Sequence, residues 1–394
     1  MNDRIRKELY EKIEIINKKY GMPARSSVPS GKKGSLEQLE TGSNRLGEFH
    51  FLERTYPFAE LPYNIDYKKL YSTDPLLCEI LGIHCEVPRL AGFDIETSGL
   101  RFDERFYAFI AGFSYIEGNA VKVRQYFLKH PSNAGAMVSE VASFACSFGR
   151  ILSYNGNGFD IPAIQHMMNV NGISGAFPGV PHTDLLPEAR KLYAHMERRN
   201  LSVMEKDVLG FERQGDIPSW MIPEKYREYL YSGKTSDIEK ILMHNEWDVI
   251  SLFGVLLSFG RELEIFPDNC SAVLKNLIYI LSSKGSLGDD IFGKIVSKGV
   301  MIEESEMERM LKHFRKNGLN ELFFKFAEYA ISKGSSGESL LKSYLNLSKA
   351  RLHFCEETIN ILEARELDED NTRRLERLRV LLTKKKKKNI IHSK

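Results

Sequence analysis

Apolar residues follow two different spacings along the chain, and each spacing predicts a different kind of element. Apolar runs with few charges occur between residues 88 and 128, in RLAGFDIETSGL, FYAFIAGFSYI and AVKVRQYFL. These runs predict three strands, the last two joined across the polar EGN in one meander. Helices are predicted over 134–148, 160–170 and 238–259, and short strands over 151–156 and 180–186. A meander followed by alternating strands and helices indicates an α/β domain with a mixed sheet flanked by helices.

The two ends of the chain are organised differently from the middle. The first 20 residues have helical spacing and are followed by a linker rich in Gly, Pro and Ser. After about residue 262 the spacing is helical throughout, as in LNELFFKFAEYAISKG, which suggests a tetratricopeptide-like stack without a clear repeat signature. We therefore predict a helix and linker over 1–45, the α/β domain over 46–262, an all-helical region over 263–382 and a basic tail over 383–394.

Composition restricts the class of protein. With 394 residues, 42% of them hydrophobic and 27% charged, the chain is typical of a folded protein with more than one domain. Its five cysteines form no C-x-x-C pair, so neither a disulfide framework nor a cysteine zinc site is indicated. The charged N-terminus and the lack of an apolar run of about 18 residues argue against export and membrane insertion. We expect a cytoplasmic protein with no membrane partner.

Positive charge is concentrated at the C-terminus. Residues 371–394 hold ten basic residues and one acidic residue, whereas the rest of the chain is net negative. The run Lys384 to Lys388 could bind phosphates through counterion release, or it could be a solvated and frayed terminus. Residues 89–260 contain 17 basic and 20 acidic residues. This region therefore needs bound cations to attract a polyanion.

Two acidic residues lie within a predicted buried strand, where they have no structural role. In FDIETSG, Asp94 and Glu96 are two apart on a predicted strand, so both carboxylates point to the same face. Two like charges there repel each other and lose hydration unless a cation or a proton compensates them. A solvated loop is the alternative for this pair alone, but the apolar residues on either side favour a metal site.

Two further segments extend this acidic set. Asp160 lies in YNGNGFDIP, where a strand and a turn lead into a helix, and it is either a helix N-cap or a third ligand. Asn155 in the same turn offers an amide to a ligand or nucleotide. In HNEWDVISL, His244 and Asp248 are four apart and share one helix face. They are either a functional pair or a hydrogen-bonded pair on the helix surface.

In order along the chain, DIETSG, YNGNGFD with PHTDLL, and HNEWD resemble the three motifs of the DEDD superfamily of 3′–5′ exonucleases. The connecting segment LSVMEKDVLGFERQGDIPSWMIPEKYREYLYSGKT resembles more narrowly the YprB-like ribonuclease H-like family. The resemblance covers residues 88–260 and implies a ribonuclease H-like fold. It implies metal ligands at Asp94, Glu96, Asp160 and Asp248, and substrate contacts at Thr97, Asn155 and Phe159.

The third motif departs from both arrangements known in that superfamily. Members with a histidine place it five residues before the aspartate, and members with a tyrosine place it four before. His244 is four residues before Asp248, so it occupies the tyrosine position. The resemblance implies that His244 is catalytic and acts on the attacking water. His182 and Asp184, which follow the second motif, are expected to support the site or the structure around it.

The resemblance implies a metal-dependent nuclease that removes nucleotides from the 3′ end of single-stranded DNA or RNA. Two divalent cations would stabilise the attacking and leaving oxygens, and carboxylate ligands favour Mg²⁺ or Mn²⁺. A catalytically weak or inactive ribonuclease H-like scaffold, binding nucleic acid or a protein through its helical region, is the alternative from another class. The four carboxylates favour the enzyme, because a scaffold would be free to lose them.

Overall fold

The computed structural model describes residues 36–63, 89–103, 106–194, 196–264, 293, 304–332, 338–351 and 356–392. The chain divides into two compact units. The first comprises Met1–Glu188 and Arg198–Phe259 and contains the sheet. The second comprises Ala189–Glu197 and Gly260–Lys394. The predicted helix over the first 20 residues lies outside the described residues.

The first unit contains a mixed sheet of seven strands. These are β1 (Glu40–Asn44), β2 (Gly47–Pro57), β3 (Leu90–Thr97), β4 (Ala108–Glu117), β5 (Ala120–Phe127), β6 (Arg150–Ser153) and β7 (His182–Asp184). Their order is β1-β2-β5-β4-β3-β6-β7, antiparallel from β1 to β3 and parallel from β3 to β7. The predicted mixed sheet is confirmed. Strand β1 lies inside the segment expected to be a linker, because ETGSN is polar and has no apolar alternation.

Six α-helices are described between β5 and residue 264. They are α1 (Ala134–Ala145), α2 (Asp160–Val170), α3 (Leu185–Leu192), α4 (Leu201–Asp207), α5 (Ile222–Ser232) and α6 (Ser236–Glu264). The helices expected over 134–148, 160–170 and 238–259 correspond to α1, α2 and α6. The apolar pattern does not predict α5, because this helix buries few residues, namely Ile222 and Tyr226. Two apolar positions are too few to show a helical period.

One face of the sheet carries an aromatic core. The ring of Phe113 on β4 lies 4.8 Å from that of Phe93 on β3 and 5.2 Å from that of Phe144 on α1, measured between centroids. Phe109 stacks on Tyr226 of α5 with their centroids 3.9 Å apart. Complete burial of a side chain of this size contributes about 1.5–3 kcal/mol. This packing anchors β3 and β4 and leaves their other face for polar groups.

On the opposite face of the sheet, a glycine allows α6 to approach the strands closely. The strand register places Asp94, Gly112 and Gln125 side by side on β3, β4 and β5. Asn245 of α6 lies over Gly112, where its Nδ2 donates to Asp94 Oδ2 at 2.9 Å and its Oδ1 accepts from Gln125 Nε2 at 2.9 Å. A Cβ atom at position 112 would be 2.1 Å from Asn245 Oδ1. Only glycine at position 112 leaves room for this contact.

The second unit is helical over its described residues, which confirms the predicted all-helical C-terminal region there. Its helices are α7 (Glu304–Lys316), α8 (Asn320–Ser332), α9 (Glu338–Arg351), α10 (Glu356–Glu363) and α11 (Glu369–His392). Phe314 packs on Phe326 at 5.3 Å and Phe324 on Tyr344 at 5.8 Å. Helix α11 extends into the segment expected to be a basic tail, as far as His392. Among the described residues, no helix combines the length and apolar character needed to cross a membrane.

Gly112→Ala is expected to lower the free energy of unfolding by about 1–3 kcal/mol, because the added methyl group would overlap Asn245 and push α6 away from the sheet. Urea unfolding followed by tryptophan fluorescence, to which the buried Trp247 of α6 contributes, measures the change. Gly99→Ala is the matched control, since its added Cβ meets no atom within 4 Å. Equal losses in the two variants would contradict the role given to Gly112.

Candidate functional site

Three elements of the first unit bring the four predicted carboxylates together. Strand β3 presents Asp94 and Glu96 on one face, α2 begins at Asp160, and α6 carries Asp248. Glu96 and Asp160 are only 8% and 7% exposed, and Asp94 and Asp248 are half-buried. The alternative that Asp160 is a helix N-cap is wrong, because Phe159 holds that position and Asp160 is the first helical residue. The four carboxyl groups are therefore largely shielded from water.

Burial and mutual repulsion disfavour the ionised forms of these carboxyl groups. Burial first, and then Asp248, Asp160 and Glu96, raise the pKa of Asp94 well above its ordinary value. Burial raises the pKa of Glu96 to about 8, assisted by Asp248 and Asp160 and opposed by His244. Burial also raises the pKa of Asp160 to about 7. These carboxyl groups therefore keep their protons to a higher pH than ordinary carboxyl groups do, unless a cation compensates their charge.

His244 lies on the same face of α6 as Asp248 and points toward Glu96. Its Nε2 is 3.3 Å from Asp248 Oδ2 and 3.8 Å from Glu96 Oε1, while its Nδ1 is 2.8 Å from Asp216 Oδ1. Asp216 thus accepts the Nδ1 proton and leaves Nε2 facing the carboxylates. Burial lowers the pKa of His244, but Asp248, Asp216 and Glu96 outweigh burial and raise it to about 9. A solvated surface pair does not describe His244 and Asp248, whose side chains are 11% and 14% exposed.

The residues present fit a divalent cation. Glu96, His244 and Asp248 each offer one ligand atom, and these atoms lie within 4.8 Å of one another. Asp94 and Asp160 add two carboxyl groups that interact electrostatically with Asp248. A cation relieves the repulsion among buried carboxylates, and oxygen ligands suit hard cations such as Mg²⁺ and Mn²⁺. The cluster could therefore bind a metal ion.

The turn before α2 is held by the two residues predicted to support the site. The carboxylate of Asp184 accepts hydrogen bonds from the backbone N–H groups of Asn155 at 2.7 Å and Asn157 at 3.2 Å. The His182 ring lies between Ser153 Oγ at 2.8 Å and Asn157 Oδ1 at 3.2 Å. Asn155 adopts a left-handed conformation with φ of 69°. These bonds offset the cost of that conformation and set the direction in which the chain enters α2.

The predicted substrate contacts lie close to these carboxylates in sequence but in three different environments. Thr97 is buried at the end of β3, and its hydroxyl donates to the carbonyl of Gly99 at 2.8 Å. The side chain of Asn155 is exposed. Phe159 is half-buried, and its ring centroid is 5.7 Å from that of Phe102, a residue 40% exposed. Phe102 has no sequence signal, because the segment after β3 shows no periodic pattern.

Several residues of the site have weak signals or none in the sequence. Arg213 Nη2 is 2.5 Å from both Asp248 Oδ1 and Glu205 Oε1, yet Arg213 stands in FERQGD, which has the composition of a surface loop. Asn245 does have a signal, since it lies four residues before the buried Val249 and so interrupts an apolar helix face. A polar residue on such a face needs a buried partner.

Part of the chain is similar to known proteins, a bacterial one and an archaeal one among them. The protein named "Uncharacterized protein YprB" from Bacillus subtilis (strain 168) is 30% identical over 175 residues, which cover 43% of this chain and 42% of that relative. The chain thus matches less than half of the relative's length. A family B DNA polymerase from the hyperthermophilic archaeon Pyrobaculum calidifontis is 15% identical, over 50% of this chain and 29% of the polymerase, with a TM-score of 0.35. That likeness bears on neither activity nor substrate.

A family model gives the more specific result. Residues 91–257 match the model RNase_H_2, described as RNase_H superfamily. The match covers β3 to β7 and most of α6, and so includes all five residues expected to be catalytic. The part of the chain that contains the carboxylate cluster therefore matches the RNase_H superfamily, and its mixed sheet flanked by helices is the ribonuclease H-like fold that the motifs predicted.

Proposed function

We propose that this protein is a metal-dependent nuclease that acts as a 3′–5′ exonuclease on single-stranded DNA or RNA. The observation that carries the proposal is one buried cluster in an RNase H-superfamily domain, made of Asp94, Glu96, Asp160, His244 and Asp248. Buried carboxylates that repel one another reduce stability, so their retention favours a function in binding cations. The inactive scaffold has no use for them.

The four carboxylates would hold two divalent cations, Mg²⁺ or Mn²⁺. When bound, these cations supply Lewis-acid stabilisation of the attacking and leaving oxygens of the phosphodiester. Asp94 is oriented for this by the Asn245 amide, and Asp160 by the turn that Asp184 holds. The region over 89–260 has a net negative charge without cations. Compensation by cations would therefore also permit a phosphate backbone to approach.

His244 orients the attacking water and accepts a proton from it at Nε2. Asp216 holds Nδ1, so the other ring nitrogen faces the reacting groups. The charges of Asp248 and Glu96 contribute to raising the pKa of His244 to about 9. Once those charges are neutralised, the pKa falls toward its ordinary value, and the neutral ring becomes available near neutral pH.

The terminal nucleotide is held beside Asp160. Phe159 and Phe102 present neighbouring rings on which a base can stack, at about 1–3 kcal/mol per base. Stacking does not discriminate among bases, which suits an enzyme that removes nucleotides one after another. Thr97 and Asn155 offer polar groups to the sugar and phosphate.

Digestion of 5′-labelled single-stranded and duplex DNA and RNA tests the proposal, in the presence of Mg²⁺, Mn²⁺ or a chelator. A ladder that shortens from the 3′ end and requires metal supports an exonuclease. Internal fragments would instead indicate an endonuclease on the same fold. Absence of cleavage with every substrate and both metals would favour the scaffold.

Asp94→Asn is expected to lower the cleavage rate by on the order of 10²–10³-fold, the scale of losing one electrostatic stabiliser. Stability without metal should stay the same or rise, because one repelling carboxylate is removed and the asparagine Oδ1 can still accept from Asn245. Asp207→Asn, at an exposed position on α4, is the matched control for both measurements. A large loss of stability confined to Asp94→Asn would mean that Asp94 is mainly structural.

The metal-free protein is expected to lose stability as pH rises from about 4 toward 8. The folded-state pKa values of Glu96 and Asp160, about 8 and about 7, exceed the ordinary values of 4.5 and 3.8. The folded state therefore binds more protons, and this contribution is complete below the ordinary pKa values and is lost as pH rises through the folded ones. Millimolar Mn²⁺ should raise the thermal midpoint more at pH 8 than at pH 5. Equal shifts at both pH values would contradict this account.

His244→Ala is expected to slow the chemical step by roughly 10²–10⁴-fold, while Mn²⁺ affinity changes little. His244→Tyr should recover part of the rate, because a hydroxyl can hold the water, and the acid limb of the pH profile should flatten. Single-turnover rates across the pH range measure both effects. Nearly full activity of His244→Ala at saturating Mn²⁺ and substrate would remove the histidine from the proposed reaction.

A further inference from the structure

A buried guanidinium contacts Asp248, the carboxylate of the cluster that α6 carries. The side chain of Arg213 is 8% exposed, and its Nη2 donates to Asp248 Oδ1 at 2.5 Å. Its Nη1 donates to the backbone carbonyl of His244 at 3.3 Å. Among the described residues its Nε is buried and has no hydrogen-bond partner. Arg213 thus contacts both a candidate ligand and the backbone of the helix that carries it.

Glu205 balances the charge of this guanidinium. It is 1% exposed, and its Oε1 accepts from Arg213 Nη2 at 2.5 Å and from the hydroxyl of Ser251. The Ser251 hydroxyl is in turn 2.5 Å from that of Tyr63. Arg213 also pairs with Asp216 at 3.5 Å, so its positive charge is shared and does not act on Asp248 alone.

We infer that Arg213 is a positioning residue that holds Oδ1 of Asp248 so that Oδ2 faces the metal site. The distances show this division, because Oδ1 is the oxygen bonded to Arg213 and Oδ2 is the oxygen 3.3 Å from His244 Nε2. Asp248 then keeps Oδ2 for a cation. The bond to Arg213 sets the orientation of the carboxylate, which rotation about the side-chain bonds would otherwise leave undetermined. The inference rests on the metal site of the proposed function.

A purely electrostatic role for Arg213 predicts the opposite result from a positioning role. A positive charge beside the site repels a cation, so removing a charge that acted only in this way would strengthen metal binding. A residue that orients a ligand behaves differently, since its loss typically weakens metal affinity by 10–100-fold. The sign of the change in affinity therefore distinguishes the two roles without any measurement of nuclease activity.

Isothermal titration calorimetry with Mn²⁺ on the full chain tests the inference. We expect Arg213→Gln to weaken Mn²⁺ binding by about 10–100-fold and Arg213→Lys to be intermediate, because lysine keeps the charge but not the planar fork. Arg227→Gln is the matched control. It removes the same charge from an exposed ion pair with Glu224, and Mn²⁺ affinity should not change.

A second variant covers the case in which Arg213→Gln does not fold because Glu205 is left buried and unpaired. The double variant Arg213→Gln/Glu205→Gln has no orphaned charge and should show the same weakened binding. Unchanged or tighter Mn²⁺ binding in either folded variant would overturn the inference. Failure of the proposed function has a different signature, in which the wild-type protein binds Mn²⁺ but cleaves no nucleic acid.

Discussion

The geometry of the site depends on one contact, in which the amide of Asn245 lies over Gly112 between Asp94 and Gln125. Both ends of this fully buried amide are hydrogen-bonded. Moving α6 relative to the sheet would break these bonds and leave buried polar atoms without partners, which is costly. The distance between helix and strand is then determined by a glycine rather than by flexible side chains. Because β3 and α6 are rigid elements, the carboxylates they carry keep a constant separation.

Uncompensated negative charge is the second constraint on this domain. The carboxyl groups of Asp94, Glu96 and Asp160 all have raised pKa values, which means that burial makes their ionised forms costly. The chain itself supplies two partial compensations, the His244 ring and the Arg213 guanidinium, and both act on Asp248. Neither neutralises the whole cluster, since Arg213 is already balanced by Glu205. A divalent cation is the compensation that suits hard oxygen ligands.

Elements with a dense apolar pattern were predictable, and sparse ones were not. Strands β3, β4 and β5 are central and buried, so their sequences are nearly continuous apolar runs. The bounds of α2 agree with the prediction, because a glycine-rich turn precedes its apolar positions. The edge strand β1 exposes most of its side chains and α5 buries few, so neither differs in pattern from a loop. The predicted N-terminal helix lies outside the described residues.

The sequence by itself determined which residues are candidate ligands. Asp94 and Glu96 share a face at a spacing of two, and His244 and Asp248 share one at a spacing of four. Asp160 has no partner at either spacing, and the resemblance of the three motifs to the exonuclease superfamily is what joined it to them. Only the tertiary structure decided which groups surround them. Asp216 reaches His244 across 28 positions and Asn245 reaches Asp94 across 151. No local period relates residues that far apart, so their contacts arise only when α6 packs against the sheet and against the loop that carries Asp216.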